Sequence, residues 1–137
     1  MEDTVFLKII RHEIPAEIVY EDDDTLAFLD IHPINPGHTL VVPKQSVRNI
    51  FDIETADFTK VMETVRKLSP VIRDAVGAEG LSIRINNEKA GGQDVFHLHV
   101  HIIPRFKDDG YAPWHGKSYA NGEAQKVAEK IRTQLAK

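Results

Sequence analysis

Three histidines at alternate positions are the residues of this sequence whose type and spacing could do chemistry. They are His97, His99 and His101, and each is followed by an apolar residue. If the segment is a β-strand, residues two apart share a face, so the three imidazoles would line up on one side. The residues that would then point into a core are Phe96, Leu98, Val100 and Ile102. Such a strand would form one wall of a polar cleft.

Three interpretations of this row are open. The histidines could be hydrogen-bonded side chains on a half-exposed strand. They could bind a metal, since neutral imidazole is a common zinc ligand. On a straight strand, however, the first and third Cα atoms would lie roughly 13 Å apart, so only a pair such as His97 and His99 could share an ion with a distant third ligand. In the third interpretation, one imidazole attacks an electrophile while its neighbours stabilise negative charge or donate protons.

Other candidate residues are weaker when each is taken alone. Gly91 and Gly92 could let backbone N–H groups approach a phosphate, although a plain turn is the alternative. Asp30 ends an apolar strand before a Pro-rich loop, a common place for a site residue and also for a solvated carboxylate. Asn86 begins an Asn-Asn turn signal, and His38 opens an apolar strand with a local hydrogen bond as its simplest role.

The elements that must position these residues can be read from hydrophobic periodicity. A short helix is predicted over Val5 to Arg11 with Thr4 as its N-cap, ended by Ile14-Pro15. Apolar runs at 18–20 and 26–29 flank an acidic stretch and predict a hairpin. A third strand follows at 38–42, and further strands are predicted at 81–85 and 95–103.

A long amphipathic helix is predicted over Glu54 to Val76, with Gly77 after its end. Pro70 predicts a kink or a break near Ser69. After a polar, turn-rich tail, a last helix is predicted from about Glu123 to Leu135. Helices beside mostly sequential strands predict an α+β fold rather than a doubly wound sheet.

Composition narrows the function classes. The 137 residues suit one domain. The absence of cysteine excludes disulfides, thiolate zinc and a Cys nucleophile. With 17 basic and 21 acidic residues, the chain does not have the charge expected of a nucleic-acid polymer binder, although a small phosphorylated ligand stays open. The acidic start and the lack of a long apolar run predict no membrane association and a cytoplasmic location.

The segment from His97 to Ile103 resembles the His-x-His-x-His-x-x signature of the histidine triad nucleotide-binding proteins, with apolar x. The stretches at 9–16, 27–31, 36–44 and 92–93 are also similar to the Hint branch of that family. The resemblance runs from about residue 4 to 105 within a single domain spanning 1–137, and the tail at 106–137 is the part that varies. It implies an antiparallel sheet with one long packed helix and a C-terminal helix.

The resemblance also implies roles for individual residues. His99 would be the nucleophile that attacks the α-phosphorus, and His101 would contact the phosphate and the leaving-group side. His97 and His38 would support the nucleophile. The nucleotide would be bound by Asp30 at the ribose, by Phe28 and Ile31 at the base, and by polar positions near the phosphate, namely Asn86, Gly92 and Gln93.

Two departures from the family pattern stand out. Some bacterial relatives hold a structural zinc with a Cys-x-x-Cys, a later histidine and the first triad histidine, but the corresponding positions here are Thr4, Leu7 and Ser46, so we expect no metal and no cofactor. Many relatives have a small hydroxyl residue where this chain has Asp94. A carboxylate accepts hydrogen bonds only, so Asp94 would repel a phosphate oxygen, accept from a leaving amine or turn away.

The function implied is hydrolysis of nucleoside 5′-phosphoramidates, purine ones in particular, by a homodimer through a nucleotidyl-histidine. Cleavage of dinucleoside polyphosphates is the alternative reaction, and a nucleotide-binding module with weak turnover is the alternative class. A metal-dependent hydrolase would instead lose activity with a chelator. We expect the aromatic tail to lie over the cleft mouth and to select leaving groups; its residues are Tyr111, Trp114 and Tyr119.

Overall fold

The core of the fold is one antiparallel sheet. The computed structural model describes residues 3–137. Its five strands are β1 (Ile18–Glu21), β2 (Thr25–Leu29), β3 (Thr39–Pro43), β4 (Gly80–Ile85) and β5 (Val100–Arg105), arranged in the order β1-β2-β3-β5-β4. The helices are α1 (Val5–Ile10), α2 (Thr55–Val76) and α3 (Glu123–Leu135), with a 3₁₀ turn at Lys89–Gly91. Every neighbouring pair of strands is antiparallel, which confirms the α+β prediction.

The predicted hairpin between β1 and β2 is confirmed, and its turn is held by one carboxylate. Oδ1 of Asp22 accepts hydrogen bonds from the backbone N–H groups of Asp24 and Thr25, each at 2.8 Å. An aspartate that bonds the backbone two or three residues ahead stabilises a tight reversal of the chain.

Helix α2 covers one face of the sheet. Its buried residues include Val61, Val65, Leu68 and Ile72, which pack in one cluster with residues of β2, β3 and β5. Gly77 ends the helix with a left-handed φ of 68°, as predicted. The break predicted near Ser69 does not occur, because α2 continues through Pro70 as one helix. Pro70 has no N–H to donate to the carbonyl of Arg66, and both residues are exposed.

Helix α1 covers the opposite face over β2 and β3. Phe6 and Ile9 pack there in a second cluster with Leu26, Phe28 and Leu40. The alternation along β2 explains the two clusters, because Ala27 belongs to the first and its two neighbours to the second. His101 is paired with Leu40 in the register of β5 and β3, and therefore lies on the α1 face.

The predicted strand at 95–103 begins five residues later than expected, at Val100. His97 and His99 therefore precede β5, and only His101 lies on it. The reason is a long-range bond, in which the N–H of Leu98 donates to the carbonyl of Val47 at 3.0 Å and ties this segment to the loop after β3. Leu98, Val100 and Ile102 are fully buried as predicted, whereas Phe96 is only half-buried.

The C-terminal tail is held by hydrogen bonds at its start, whereas its last helix is not buried against the rest of the chain. The carboxylate of Asp109 accepts from Arg105, from the N–H of Phe106 and from Asn35. Helix α3 has the predicted bounds, and none of its residues is buried. Within residues 3–137, no helix combines the length and the apolar character needed to cross a membrane.

Candidate active site

A cleft of about 280 Å³ opens on the α1 face of the sheet. Its apolar wall comes from α1 and the following loop, with Val5, Phe6 and Ile9 among its residues. The polar groups of the cleft come from the loop after β2, from the segment before β5 and from β5 itself: Asp30, His32, Asp94, His99 and His101. An apolar wall with a few converging polar groups is the usual composition of a small-molecule site.

His99 presents a free ring nitrogen to this cleft. Its Nδ1 lies 2.8 Å from the carbonyl oxygen of His97. A carbonyl only accepts hydrogen bonds, so Nδ1 carries the proton and Nε2 of the neutral ring holds an unshared electron pair. The ring is 3 % exposed and rests edge-on against the ring of Phe6, with centroids 4.9 Å apart. His99 is therefore a fixed imidazole with a nucleophilic nitrogen.

His101 presents the opposite group, an N–H donor, because of a chain of hydrogen bonds. The backbone N–H of Ile34 donates to Nδ1 of His38 at 3.0 Å. Nε2 of neutral His38 must then carry its proton, and it lies 2.9 Å from Nδ1 of His101. Nδ1 of His101 is thus an acceptor, which leaves the proton of that ring on Nε2. Within the described residues this buried Nε2 has no hydrogen-bond partner, so its N–H is left unpaired beside the cleft that His101 lines.

Burial keeps these histidines neutral. It lowers the pKa of His99 below the ordinary 6.5, although the bond to His97 and the carboxylates of Asp94 and Asp30 act in the raising direction. Burial, together with the neighbouring His99 and His38, lowers the pKa of His101 to about 4. Burial likewise lowers the pKa of His38. At neutral pH the site therefore holds an uncharged nucleophile beside an uncharged donor.

His97 lies behind the cleft rather than on its surface. It is 1 % exposed, and its Nε2 lies 2.8 Å from the carbonyl oxygen of Pro43, so Nε2–H donates there. Burial lowers its pKa, which keeps the ring neutral. Its own carbonyl is the acceptor that fixes the ring of His99. This arrangement suits the supporting role implied by the resemblance.

The predicted ribose and base residues line the cleft. Oδ1 of Asp30 accepts from the N–H of His32 at 2.8 Å, and Oδ2 lies 3.6 Å from Nε2 of His38. Phe28 is buried with its ring 5.4 Å from that of Phe6. Ile31 is 83 % exposed at the rim. The structure thus brings these three residues to one cleft, and their contacts with a nucleotide stay a prediction.

The predicted phosphate residues Asn86, Gly92 and Gln93 lie outside the cleft lining. Gln93 is buried, and its side chain bonds the N–H of Glu88 and the carbonyls of Arg48 and Val95. Backbone N–H groups of residues 91–93 donate within their own loop. Asn86 reaches the carbonyl of Gly92 at 3.5 Å. These residues hold the loop together in this structure, and their phosphate role stays a prediction.

Several residues of the site escaped the sequence analysis. The α1 wall could have been found from the i, i+3 spacing of Phe6 and Ile9, which marks an apolar face. The N–H of Ile34 is a backbone group, so no side chain in the sequence could indicate its role.

The aromatic tail approaches the site at Trp114. The guanidinium of Arg84 lies over the ring of Trp114, 5.7 Å from its centroid, and Arg84 is the register partner of His101. None of Tyr111, Trp114 and Tyr119 is among the residues lining the cleft, and their selection of leaving groups stays a prediction.

The donor set for the structural zinc of some relatives does not fit this chain. The hydroxyl of Thr4 caps α1 by accepting from the N–H of Leu7, and leucine has no ligand atom. Elsewhere in residues 3–137, ligand atoms of Asp30, His38 and His101 lie within 4.8 Å of one another. His38 and His101 already form a hydrogen bond to each other, between Nε2 of His38 and Nδ1 of His101.

Comparison with known proteins identifies the family. A family model described as the HIT domain matches residues 11–108. The chain belongs to the HIT family. The Bacillus subtilis HIT protein called Protein hit is 40 % identical to it over 139 residues, covering 98 % of this chain and 96 % of that one. An Arabidopsis thaliana HIT relative, named adenylylsulfatase HINT3, is 38 % identical over 107 residues, covering 78 % of this chain and 54 % of its own length.

Solved structures of other proteins share the whole fold. SMU.412c from Streptococcus mutans matches with a TM-score of 0.92 and 38 % identity, covering 98 % of this chain and 87 % of that one. A histidine triad nucleotide-binding protein from Candida albicans matches with a TM-score of 0.87 and 29 % identity, covering 98 % of each chain. The chain is therefore a member of a family of nucleotide-binding proteins and nucleotide hydrolases.

Proposed function

We propose that this HIT protein hydrolyses nucleoside 5′-phosphoramidates, purine ones in particular, through a covalent nucleotidyl intermediate on His99. The observation that carries the proposal is the pair of fixed tautomers at one cleft. His99 offers an electron pair on Nε2, and His101 offers a proton on its partnerless Nε2. A nucleophile beside a hydrogen-bond donor is what transfer of a phosphoryl group needs.

The reaction proceeds in two balanced steps. Nε2 of His99 forms a bond to the α-phosphorus while the P–N bond of the substrate breaks; the bonding pair leaves with the amine nitrogen, which takes up a proton from solvent. Water then attacks phosphorus, the P–Nε2 bond breaks, and its electron pair returns to His99. The proton that water loses balances the one taken up by the amine. Throughout, His101 donates from Nε2 to a phosphoryl oxygen.

The nucleoside half of the substrate would lie along the apolar wall. Phe28 and Ile31, together with the α1 residue Phe6, offer apolar surface for a base. Asp30 offers a carboxylate oxygen to the ribose hydroxyls at the end of β2. The proposed steps use no metal, since the hydrogen bond from His101 would stabilise the charge that develops on the phosphoryl oxygens.

Two alternatives rest on specific observations. The name of the Arabidopsis relative describes cleavage of an adenylyl sulfate, so an acid anhydride is a possible substrate class, and dinucleoside polyphosphates belong to it. The name of the Candida albicans neighbour mentions only nucleotide binding, which corresponds to a binding module with weak turnover.

A competition experiment separates these functions. The protein is mixed, in EDTA, with equal amounts of adenosine 5′-phosphoramidate and diadenosine tetraphosphate, and products are followed by chromatography beside His99→Gly. We expect rapid loss of the phosphoramidate by the wild type only. Preferential loss of the polyphosphate would support the anhydride reaction, and tight AMP binding without turnover would support the module. Activity that the chelator removes would indicate a metal-dependent enzyme.

We also propose that the chain is a homodimer, as the resemblance implies. Helix α3 supports this, because it buries no residue within one chain while it exposes apolar side chains such as Ile131 and Leu135. Sedimentation equilibrium should then give twice the 15.5 kDa chain mass, and a mass of one chain would contradict it.

A further inference from the structure

Asp94 places a negative charge beside the attacking nitrogen. Its Oδ1 lies 3.8 Å from Nε2 of His99, and the side chain is 84 % exposed at the cleft. The same oxygen accepts from the N–H of Val95 at 2.9 Å, which holds the carboxylate toward the site. Once phosphorus is bonded to Nε2, its substituents would lie within a few ångströms of this carboxylate.

The surroundings do not neutralise this charge. In the part of the chain that the structure describes, the cleft lining contains the carboxylates of Asp30 and Asp94 but neither lysine nor arginine. Arg84 stands near His38, where its charge helps to lower the pKa of that ring, and its guanidinium stacks on Trp114 rather than on either carboxylate. A leaving group that enters the cleft therefore meets two carboxylates and no cationic side chain in the cleft lining.

We infer that the carboxylate of Asp94 selects among substrates according to the charge of their leaving group. It favours phosphoramidates whose amine carries a further cationic group and disfavours anionic leaving groups such as sulfate, phosphate or a carboxylate-bearing amine. This inference rests on the proposed function. It assigns to the exposed Asp94 a role in specificity, whereas bond making and breaking stay with His99. The cation is an ammonium or guanidinium on the amine side of the P–N bond.

The experiment uses three adenosine 5′-phosphoramidates of matched length. Their amines are 1,4-diaminobutane, pentylamine and 4-aminobutanoate, so that the far end is positive, neutral or negative. Values of kcat/KM are measured for the wild type, Asp94→Asn and Asp94→Glu. Asp23→Asn is the matched control, because it removes one exposed carboxylate that is not part of the cleft lining.

In the wild type and in the Asp23→Asn control we expect kcat/KM to fall from the positive to the neutral to the negative substrate, by about twofold to fivefold per unit charge. Asp94→Asn should bring the three values together, and Asp94→Glu should keep their order. In about 1 M salt, where the Debye length is near 3 Å, the wild-type differences should shrink.

The outcomes distinguish the two claims. If the wild type hydrolyses all three substrates and Asp94→Asn keeps the same ratios, the inference is wrong while the proposed function stands. If the wild type hydrolyses adenosine 5′-phosphoramidate but none of the three derivatives, the inference is wrong while the proposed function stands. If it hydrolyses neither adenosine 5′-phosphoramidate nor the derivatives, both are wrong. A charge preference that Asp23→Asn removes as well would also overturn the role of Asp94.

Discussion

The protonation of the histidines proposed to act in catalysis is set by groups that cannot exchange roles. The N–H of Ile34 is always a donor, and the carbonyl of His97 is always an acceptor. These two backbone groups therefore fix the tautomers of His38 and His99, and His38 passes its state on to His101. At the scale of the residue, the chemistry depends on which ring nitrogen is free rather than on the count of histidines.

Replacing His38 tests this chain of hydrogen bonds. In His38→Ala, Nδ1 of His101 loses its donor, and the ring can hold its proton there instead of presenting it on Nε2. We expect kcat to fall by about 10²-fold or more, with AMP binding by calorimetry less affected. His38→Gln has an amide N–H of similar reach and should recover part of the rate. Wild-type kcat in His38→Ala would contradict the positioning role of His38.

The pH profile tests the charge state of His99. In the proposed mechanism the neutral ring attacks, so kcat/KM should fall below the pKa of His99, which burial holds under 6.5. Because the Asp94 carboxylate raises that pKa, Asp94→Asn should move the acid limb to lower pH. An acid limb that stays in place or moves to higher pH would show that the titrating group is not His99 beside Asp94.

At the scale of the element, the loop between β2 and β3 sets the site. Gly37 has a φ of 93°, and a Cβ there would lie 2.9 Å from Cγ1 of Val76 and 3.2 Å from Cγ of Pro104. The same loop carries the Ile34 N–H and the Asn35 side chain, which bonds the Pro104 carbonyl. The loop therefore packs tightly between α2 and β5. Its conformation positions the Ile34 N–H, which fixes the tautomer of His38.

A glycine pair tests the importance of this loop. Gly37→Ala should lower the free energy of unfolding by about 1–3 kcal/mol, because it adds both strain and a clash. It should also lower kcat, since the Ile34 N–H shifts. Gly80→Ala is the control, because nothing lies within 4 Å of its Cβ position. The free energy of unfolding of both variants is measured by urea denaturation. If Gly37→Ala were as stable as Gly80→Ala, the loop would tolerate a side chain and the prediction would be wrong.

The sequence predicted those elements that depend on local pattern. The spacing of apolar residues predicted the bounds of α2 and α3 to within one residue. The acidic stretch before Thr25 predicted the position of the hairpin turn. The late start of β5 was not predictable, since it depends on the bond between Leu98 and Val47, far apart along the chain. The same holds for the bond from His38 to His101 and for the buried side chain of Gln93.

At the scale of the whole molecule, the buried histidines link stability to pH. Burial lowers the pKa values of His38, His97 and His99 below 6.5 and that of His101 to about 4. The unfolded chain therefore binds more protons than the folded one once the pH falls below 6.5. The stability that depends on neutral rings is complete above that pH and is lost on the way down toward pH 4.

Urea denaturation at several pH values tests this linkage. The free energy of unfolding should decrease between pH 7.5 and pH 5. Carboxylates add their own loss only at lower pH, because hydrogen bonds from Arg48 and Asn49 lower the pKa of Glu88 to about 2 from 4.5, and the Arg105 hydrogen bond lowers the pKa of Asp109 below 3.8. Unchanged or higher stability at pH 5 would contradict the neutral, buried state of the four histidines.

Trapping the covalent intermediate tests the central claim most directly. Wild-type protein is mixed with excess adenosine 5′-phosphoramidate, quenched in base within milliseconds to seconds, and digested for tandem mass spectrometry. We predict an adenylyl group on His99, formed before AMP appears and absent from His99→Gly. AMP release by the wild type with no adenylylated peptide at any time, or with the adduct on another residue, would contradict nucleophilic attack by His99.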